Sequence, residues 1–384
     1  MRRWFLLLAA FLLLSAGAIF WWWSRPLPVL NVVTWPGTYG RAQAAAQMQA
    51  YAAAKRADVR IQQWAGNGTL EELQRAIETH HAGDVVDLEM PVAVAACKAG
   101  LLEPIDAATL PAGDDGTAAK DDFYGGLISP CWVASALYSQ MVICTKPCPG
   151  NLSDLFDSAA IVPGPLAGKA SLNNLLARAG HNRKIGLQRT AKVNLEMALL
   201  ADGVNANQVY ALLATDAGVA RAFAKLDTIK SNIVWWRNAS EPASLLRRGQ
   251  VAATTILTSE AQAVLQDTDK TDPQNRPWSL MGQQFYEADV LALPKSDARK
   301  DRALDYLRFA TASMPLANMV KFAPYMPPRK SSLPLVEKLA PSPLRDFVIA
   351  QKGAMDKSFA IDDAFWDTHG TALEARFRAW ASTP

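Results

Sequence analysis

The sequence predicts an α/β protein, and two observations carry that reading. Short β-branched strands alternate with helical segments from residue 29 to about residue 130, the order of elements that builds a sheet covered by helices. The chain has 384 residues, enough to bury a core and to form two domains or one large one.

The elements follow in order. Residues 29–34 (VLNVVT) are β-branched and form a strand, ended by Trp35, Pro36 and Gly37. The Ala-rich run 42–55 is a helix, and 59–64 alternates as a strand. Gly66-Asn67-Gly68 is a turn, and Thr69 with Glu72 three residues on is a capping box that opens the next helix. A dinucleotide loop is set aside there, because the third glycine is missing. DVVDLEM, 84–90, is a strand ending in acids, and Pro91 starts a helix that runs to about Gly100. Residues 137–143 form a strand. Helices are expected over 171–180 and 193–203, ending at Gly180 and Gly203, and over 207–213 and 218–226. Strands are expected at 233–236, 251–257 and 288–293, the last closed by Pro294, and a helix at 303–312.

The N-terminus carries the strongest compositional signal. Arg2 and Arg3 precede an uncharged apolar run, residues 5–23, within residues 1–23 that read as a signal peptide or N-terminal membrane anchor. Ala16-Gly17-Ala18 has the form of a cleavage site. Left uncut, the nineteen residues would span roughly 28 Å as a helix, close to the bilayer core, with Trp21, Trp22 and Trp23 in the interfacial belt. Both readings place the rest of the chain outside the cytoplasm, as a soluble periplasmic protein or one anchored to the inner membrane. Residues 24–28 (SRPLP) make a stiff linker. Formal net charge is +3, and Arg2 and Arg3 supply two of those charges, so the remainder is near neutral and has no nucleic-acid footprint.

Four cysteines in an exported chain point to disulfides. Three pairings exist. The favoured one joins Cys97 to Cys131 and Cys144 to Cys148 across a short turn. Buried free thiols are the plainer alternative. A metal site is the weaker reading, since the spacing is not that of a zinc ribbon and no histidine lies near. No cofactor motif is present. The nucleophile-elbow, zinc-protease and phosphate-loop patterns are missing, and of the histidines His80, His81, His181 and His369 the first two are adjacent at a helix end without an acidic partner at ligand spacing, so the chain is not read as an enzyme.

What stands out is a set of aromatic and charged residues at strand ends: Trp35 and Tyr39, Glu89, Trp235, Trp236 and Arg237, then Tyr286, Glu287 and Asp289, and Tyr325 in a Pro-rich turn. In open α/β sheets ligands bind at the carboxyl ends of strands, and aromatic faces with a few acids suit a small cationic or zwitterionic ligand.

The segments LNVVTWPGTYGRAQ, DVVDLEMPVAVAACKAGLLEPID, VNLEMALLADGV, SNIVWWRNASEP, ADVLALPKSDARKDRALDYLRFATAS and FAPYMPPRK, in that order, resemble the periplasmic substrate-binding proteins of ABC importers, in the spermidine/putrescine-binding group. The late segment DDAFWDTHGTALEARFRAWAS fits too, so the likeness covers about residues 29–381. It implies a type II two-lobed fold with two crossing hinge strands, 137–143 and 288–293, and a ligand cleft between the lobes. Lobe one would comprise 29–136 plus 294–330, and lobe two 144–287 plus 331–384. It also implies hinge closure, a monomer, and docking to an ABC permease.

The resemblance carries individual residues as well. Trp35 matches the family's first aromatic contact, and Thr38 or Tyr39 its companion. Glu89 falls at a small polar contact, Asp289 at a carboxylate that holds an amine, and Tyr325 at a late aromatic contact. Cys97 and Cys131 match a cysteine pair found in some relatives. Two departures separate this chain from polyamine binders: Arg189 and Lys192 stand where acids precede the VNLEMALL helix, and Leu257 stands in place of an aromatic. A ligand with an amine near Asp289 and Glu89 and an acid near Arg189, such as a γ-amino acid, therefore fits better than spermidine. Trp236 and Arg237 complete the expected contact set. A membrane-anchored sensor of the same fold is the alternative function.

Overall fold

The computed structural model describes residues 26–383 except 67, 146–147, 157–183, 268–277, 296–298, 352 and 355–356. The apolar run 5–23, residues Ser24 and Arg25 of the linker, and the helix expected over 171–180 lie outside the described residues.

Nine strands form one sheet: β1 (Val29–Thr34), β2 (Asp58–Gln63), β3 (Val85–Glu89), β4 (Trp132–Thr145), β5 (Ile185–Gln188), β6 (Ile233–Trp236), β7 (Ala253–Leu257), β8 (Trp278–Ala292) and β9 (Phe359–Ala360). The order is β2-β1-β3-β8-β4-β7-β5-β6, with β9 on β8. The two long strands β4 and β8 pair antiparallel from Trp132 opposite Ala292 to Thr145 opposite Trp278, forming a central ribbon. Both are longer than the sequence suggested, because buried small residues such as Ala134 and Ala136 extend the pairing without the usual strand signature.

The ribbon carries two groups of shorter strands. β3 pairs with the C-terminal end of β8, Glu89 opposite Asp289, and β1 lies parallel beyond it. β7 pairs with the other half of the ribbon, Leu257 opposite Gln140, with β5 and β6 parallel beyond it. Because β7 and β3 run in opposite directions, their carboxyl ends converge on the middle of the ribbon. Topology alone thus places a cleft there, between the two strand groups. One core gathers residues such as Leu30, Val85, Leu291 and Leu307, and the other Leu187, Leu195, Leu226 and Phe377.

The first helical run begins earlier than composition indicated. It starts at Gly37, whose φ of +83° suits glycine, and continues through a wide π turn at Ala44–Met48 to Lys55. Tyr39 is therefore in the first turn of a helix and not in a loop. The capping box forms as expected, with Thr69 accepting from Glu72 N and Glu72 accepting from Thr69 N. Disulfides join Cys97 to Cys131 and Cys144 to Cys148, with Cα atoms 5.8 and 5.4 Å apart.

The Pro-rich segment that carries Tyr325 is fixed by Arg329. Its buried guanidinium donates to Asp122 Oδ2 at 3.1 Å and to Pro111 O at 2.6 Å, and lies over the Phe123 ring. Asp122 also accepts from Ser331 N and Oγ. Removing one partner of a buried pair leaves a charge without compensation. Asp122→Ala should cost roughly 3–5 kcal/mol in chemical denaturation. A loss below about 1 kcal/mol would mean that water, not Asp122, satisfies Arg329.

Candidate functional site

Where the strand ends converge, a cavity of about 240 Å³ is lined by Trp35, Tyr39, Glu89, Tyr138, Leu257, Thr258, Ser259, Asp289 and Tyr325. Its walls come from both strand groups and from the ribbon between them. Alternation puts Asp87 and Glu89 on one face of β3, and antiparallel register brings Asp289 and Glu287 of β8 to that face. Tyr138 lies opposite Glu287 on β4.

The wall is organised by Asp87, a fully buried carboxylate behind the cavity. Its Oδ1 accepts from Trp35 Nε1 at 2.9 Å. Its Oδ2 accepts from Tyr39 OH at 2.8 Å, from Ser135 Oγ at 3.3 Å and from Gln43 Nε2. The Asp87 carbonyl accepts from Trp64 Nε1 at 2.8 Å. Ser135 reaches this point because β4 has a bulge between Ala134 and Ala136, which re-aims its side chain. Tyr39 stacks edge-on against Tyr325, centroids 5.3 Å apart. Behind the rings lie only small contacts such as Ala42, Ala46 and Ala136, together with Met319. The Ala-rich composition of the first helix thus lets it approach the ribbon closely. Gly68 serves the same wall. Its φ is +59°, and a Cβ there would sit 2.5 Å from Trp35 Cη2.

Asp289 differs from Asp87. It is 8% exposed and lines the cavity, and among the described residues no donor reaches its carboxyl group. Burial, then the nearby Asp87, Glu89 and Glu287, hold its pKa well above the ordinary aspartate value. Burial also raises Asp87, against the opposing pull of its four donors. Glu89 is exposed at the cavity mouth, yet desolvation by the cleft, then Glu287, raises it while Lys192 lowers it. Tyr325 is pushed up to about 12, by burial and then by Asp289.

Of the nine residues of the expected contact set, Trp35, Tyr39, Glu89, Asp289 and Tyr325 come together in this cavity, and four do not line it. Trp236 is 1% exposed and donates to Thr255 Oγ1 in the sheet, because its strand turns it inward. Thr38 is exposed and accepts from Arg41. Arg189, at the end of β5, donates to Ser382 Oγ. Arg237, at the end of β6, is exposed and its backbone N–H donates to Glu241. β5 and β6 are the outer strands of their group, so their ends lie beyond the ribbon's middle. Asp87, Ser135, Tyr138 and Thr258 were not picked out from the sequence. The alternation of DVVDLEM, which puts Asp87 on the face of Glu89, was the available signal for the first.

This architecture, with two strand groups meeting over a crossing ribbon and an aromatic, acidic cavity between them, defines a two-lobed solute-binding protein. The chain belongs to the bacterial extracellular solute-binding protein family, whose model matches residues 46–343. It is 32% identical over 348 residues to the gamma-aminobutyric acid-binding protein of Pseudomonas aeruginosa, covering 90% of each chain. Among solved structures it resembles the Atu4243–GABA receptor at 25% identity and TM-score 0.67, covering 92% of this chain and 98% of that one. The spermidine/putrescine-binding protein PotD of Streptococcus pneumoniae shares the fold at 13% identity and TM-score 0.66, with 92% and 100% covered. Among the described residues no helix is long and apolar enough to cross a membrane.

Asp87→Ala removes the acceptor for four side-chain donors at once. It should cost about 3 kcal/mol or more in denaturation and red-shift tryptophan emission as Trp35 loosens. A stable variant with unchanged emission would show that Asp87 does not hold the wall.

A pH test follows from the raised carboxyls. Between the ordinary value of 3.8 and the raised values of Asp87 and Asp289, the folded protein binds more protons than the unfolded chain. That contribution to stability is fully present below the unfolded value and is lost as pH rises through the raised ones. The thermal midpoint of the ligand-free protein should therefore fall as pH rises toward and through about 7, and less so in Asp289→Asn. A midpoint that climbs over this interval contradicts the assignment.

Proposed function

We propose that the chain binds a small ω-amino acid of the gamma-aminobutyrate type in the cleft and delivers it to a membrane permease. The observation that carries the reading is Asp289, a buried carboxyl facing the cavity with no donor among the described residues. A ligand ammonium supplies the missing donors, and the ring faces of Trp35, Tyr39 and Tyr325 add cation–π attraction. Trp35 and Tyr39 spend their polar hydrogens on Asp87, so their faces are what the ligand meets. The cavity, at about 240 Å³, is smaller than sites for drug-sized ligands and suits a compact solute. The kinship with a gamma-aminobutyric acid-binding protein points the same way.

In this reading residues 29–136 with 294–330 and residues 144–287 with 331–384 are the two lobes. They close on the ligand as the ribbon bends near 137–143 and 288–293. The segment 331–350 touches both strand groups: the helix Leu333–Lys338 packs on Ser313–Met319, and the helix Pro343–Ala350 packs on Thr258–Asp267. The protein works as a periplasmic monomer, free or tethered by residues 5–23. It binds without turnover, so the ligand is recovered chemically unchanged.

Calorimetry should show one site for gamma-aminobutyrate, and Asp289→Asn should weaken it by at least about 30-fold, the effect of leaving a charged group unpaired. Binding that is unchanged in this variant, or absent in the parent, would sink the proposal.

A further inference from the structure

One charged group beside the cavity has no role in the contacts above. Lys192 lies in the turn between β5 and the helix Asn194–Ala201. Its ammonium donates to Glu287 and, at 2.9 Å, to Asp363. The Lys192 side chain is 23% exposed, that of Glu287 19% and that of Asp363 0%. Lys192 thus neither reaches out to solvent nor stands free to meet an anion.

The geometry divides the acids of the cleft into two sets. Asp289 and Glu89 face the cavity. Glu287 and Asp363 close around Lys192. Glu287 and Asp289 are two residues apart on the same face of β8, about 7 Å along the strand. That spacing is of the order of the distance between the two ammonium groups of a short diamine. Glu287 also sits opposite Tyr138, which lines the cavity, so the two sets are contiguous.

The backbone next to Lys192 is strained. Val193 is buried, and its φ is +71°, a region that β-branched residues avoid. Such strain persists where the surroundings fix it, and here it turns the chain so that Lys192 enters the gap between Glu287 and Asp363. Burial works against the ammonium, but the two carboxylates outweigh it and hold the lysine pKa above its ordinary value.

We propose that Lys192 determines specificity: its ammonium takes the place a second ligand ammonium would occupy, so the cleft accepts one ammonium and rejects diamines. The inference rests on Asp289 holding a ligand amine. A lysine that merely ties the ribbon to the helix Asp363–Ser382 would affect stability without changing ligand choice.

The test compares gamma-aminobutyrate and putrescine by calorimetry on the exported protein and on Lys192→Met, which keeps the aliphatic stem and removes the charge. The parent should prefer gamma-aminobutyrate by at least about 100-fold, and Lys192→Met should gain at least about tenfold in putrescine affinity. The gain should vanish in Lys192→Met/Asp363→Asn, where one of the freed carboxylates is gone. A folded Lys192→Met with no gain overturns the inference while leaving the gamma-aminobutyrate reading intact. Should that variant fail to fold, Lys192→Gln takes its place, and the parent still decides: putrescine binding within about threefold of gamma-aminobutyrate overturns the inference. A parent that binds putrescine and no monoamine overturns both readings.

Discussion

A buried carboxylate with four donors is the constraint on which the cleft depends. Asp87 sits in the middle of a sheet strand, where an isolated charge would be very costly. Its donors come from three separate parts of the chain: Trp35 and Tyr39 with Gln43 from the segment after β1, Ser135 from the bulge in β4, and Trp64, which binds its carbonyl, from the end of β2. Satisfying the charge therefore fixes where these segments meet. It also fixes how the two rings face, since each must aim one polar hydrogen backwards at Asp87 and present its π-face to the cavity. The same few hydrogen bonds thus act at the level of folding and at the level of recognition.

Sheet topology supplies the other half of the site. Two strand groups of opposite direction hang on one long antiparallel ribbon, so both sets of carboxyl ends point at the ribbon's centre. Residues that follow β1, β3 and β7 become neighbours there, although Trp35 and Ser259 are far apart in sequence. In the proposed closure, a bend in β4 and β8 changes the distance between the walls while leaving each wall intact. The Asp87 network lies almost wholly on one side of that bend, so closure need not break it.

The sequence made much of this legible, and the failures have physical causes. Strand–helix alternation, the capping box and the Pro91 helix start are local signals, and the structure shows all three. Trp35, Tyr39, Glu89 and Tyr325 could be read because each follows or ends a recognisable element. Trp236 and Arg237 carry the same local signal, yet β6 is an outer strand and its Trp is consumed by packing against Thr255. Position within the sheet decided between them, and strand order is not a local property. Asp87 was hidden for a related reason: within DVVDLEM it looks like one polar residue of an alternating strand, and its burial depends on partners up to 52 residues away. Ser135 needed the bulge, which is a property of the pairing and not of the residue. Lys192 was noticed as an anomaly of charge, but its direction depended on a strained φ at Val193 that no propensity predicts.

Charge accounting ties these residues to ligand choice. One face of the sheet carries Asp87, Glu89, Glu287 and Asp289, with Asp363 adjoining, a density of like charge that the fold must compensate. Asp87 is compensated by neutral donors, and Glu287 and Asp363 by Lys192. Asp289 and Glu89 remain, and burial, then the neighbouring Asp87, Glu89 and Glu287, raise the pKa of Asp289. Lys192 is shared between Glu287 and Asp363, and Asp289 and Glu89 are the acids left for a ligand ammonium. A diamine would bring a second ammonium to carboxylates already engaged, whereas a single amine needs only Asp289 and Glu89. On this argument selectivity in the cleft comes less from the shape of the aromatic wall, which suits any small amine, than from how many of the acids the protein has already neutralised by itself.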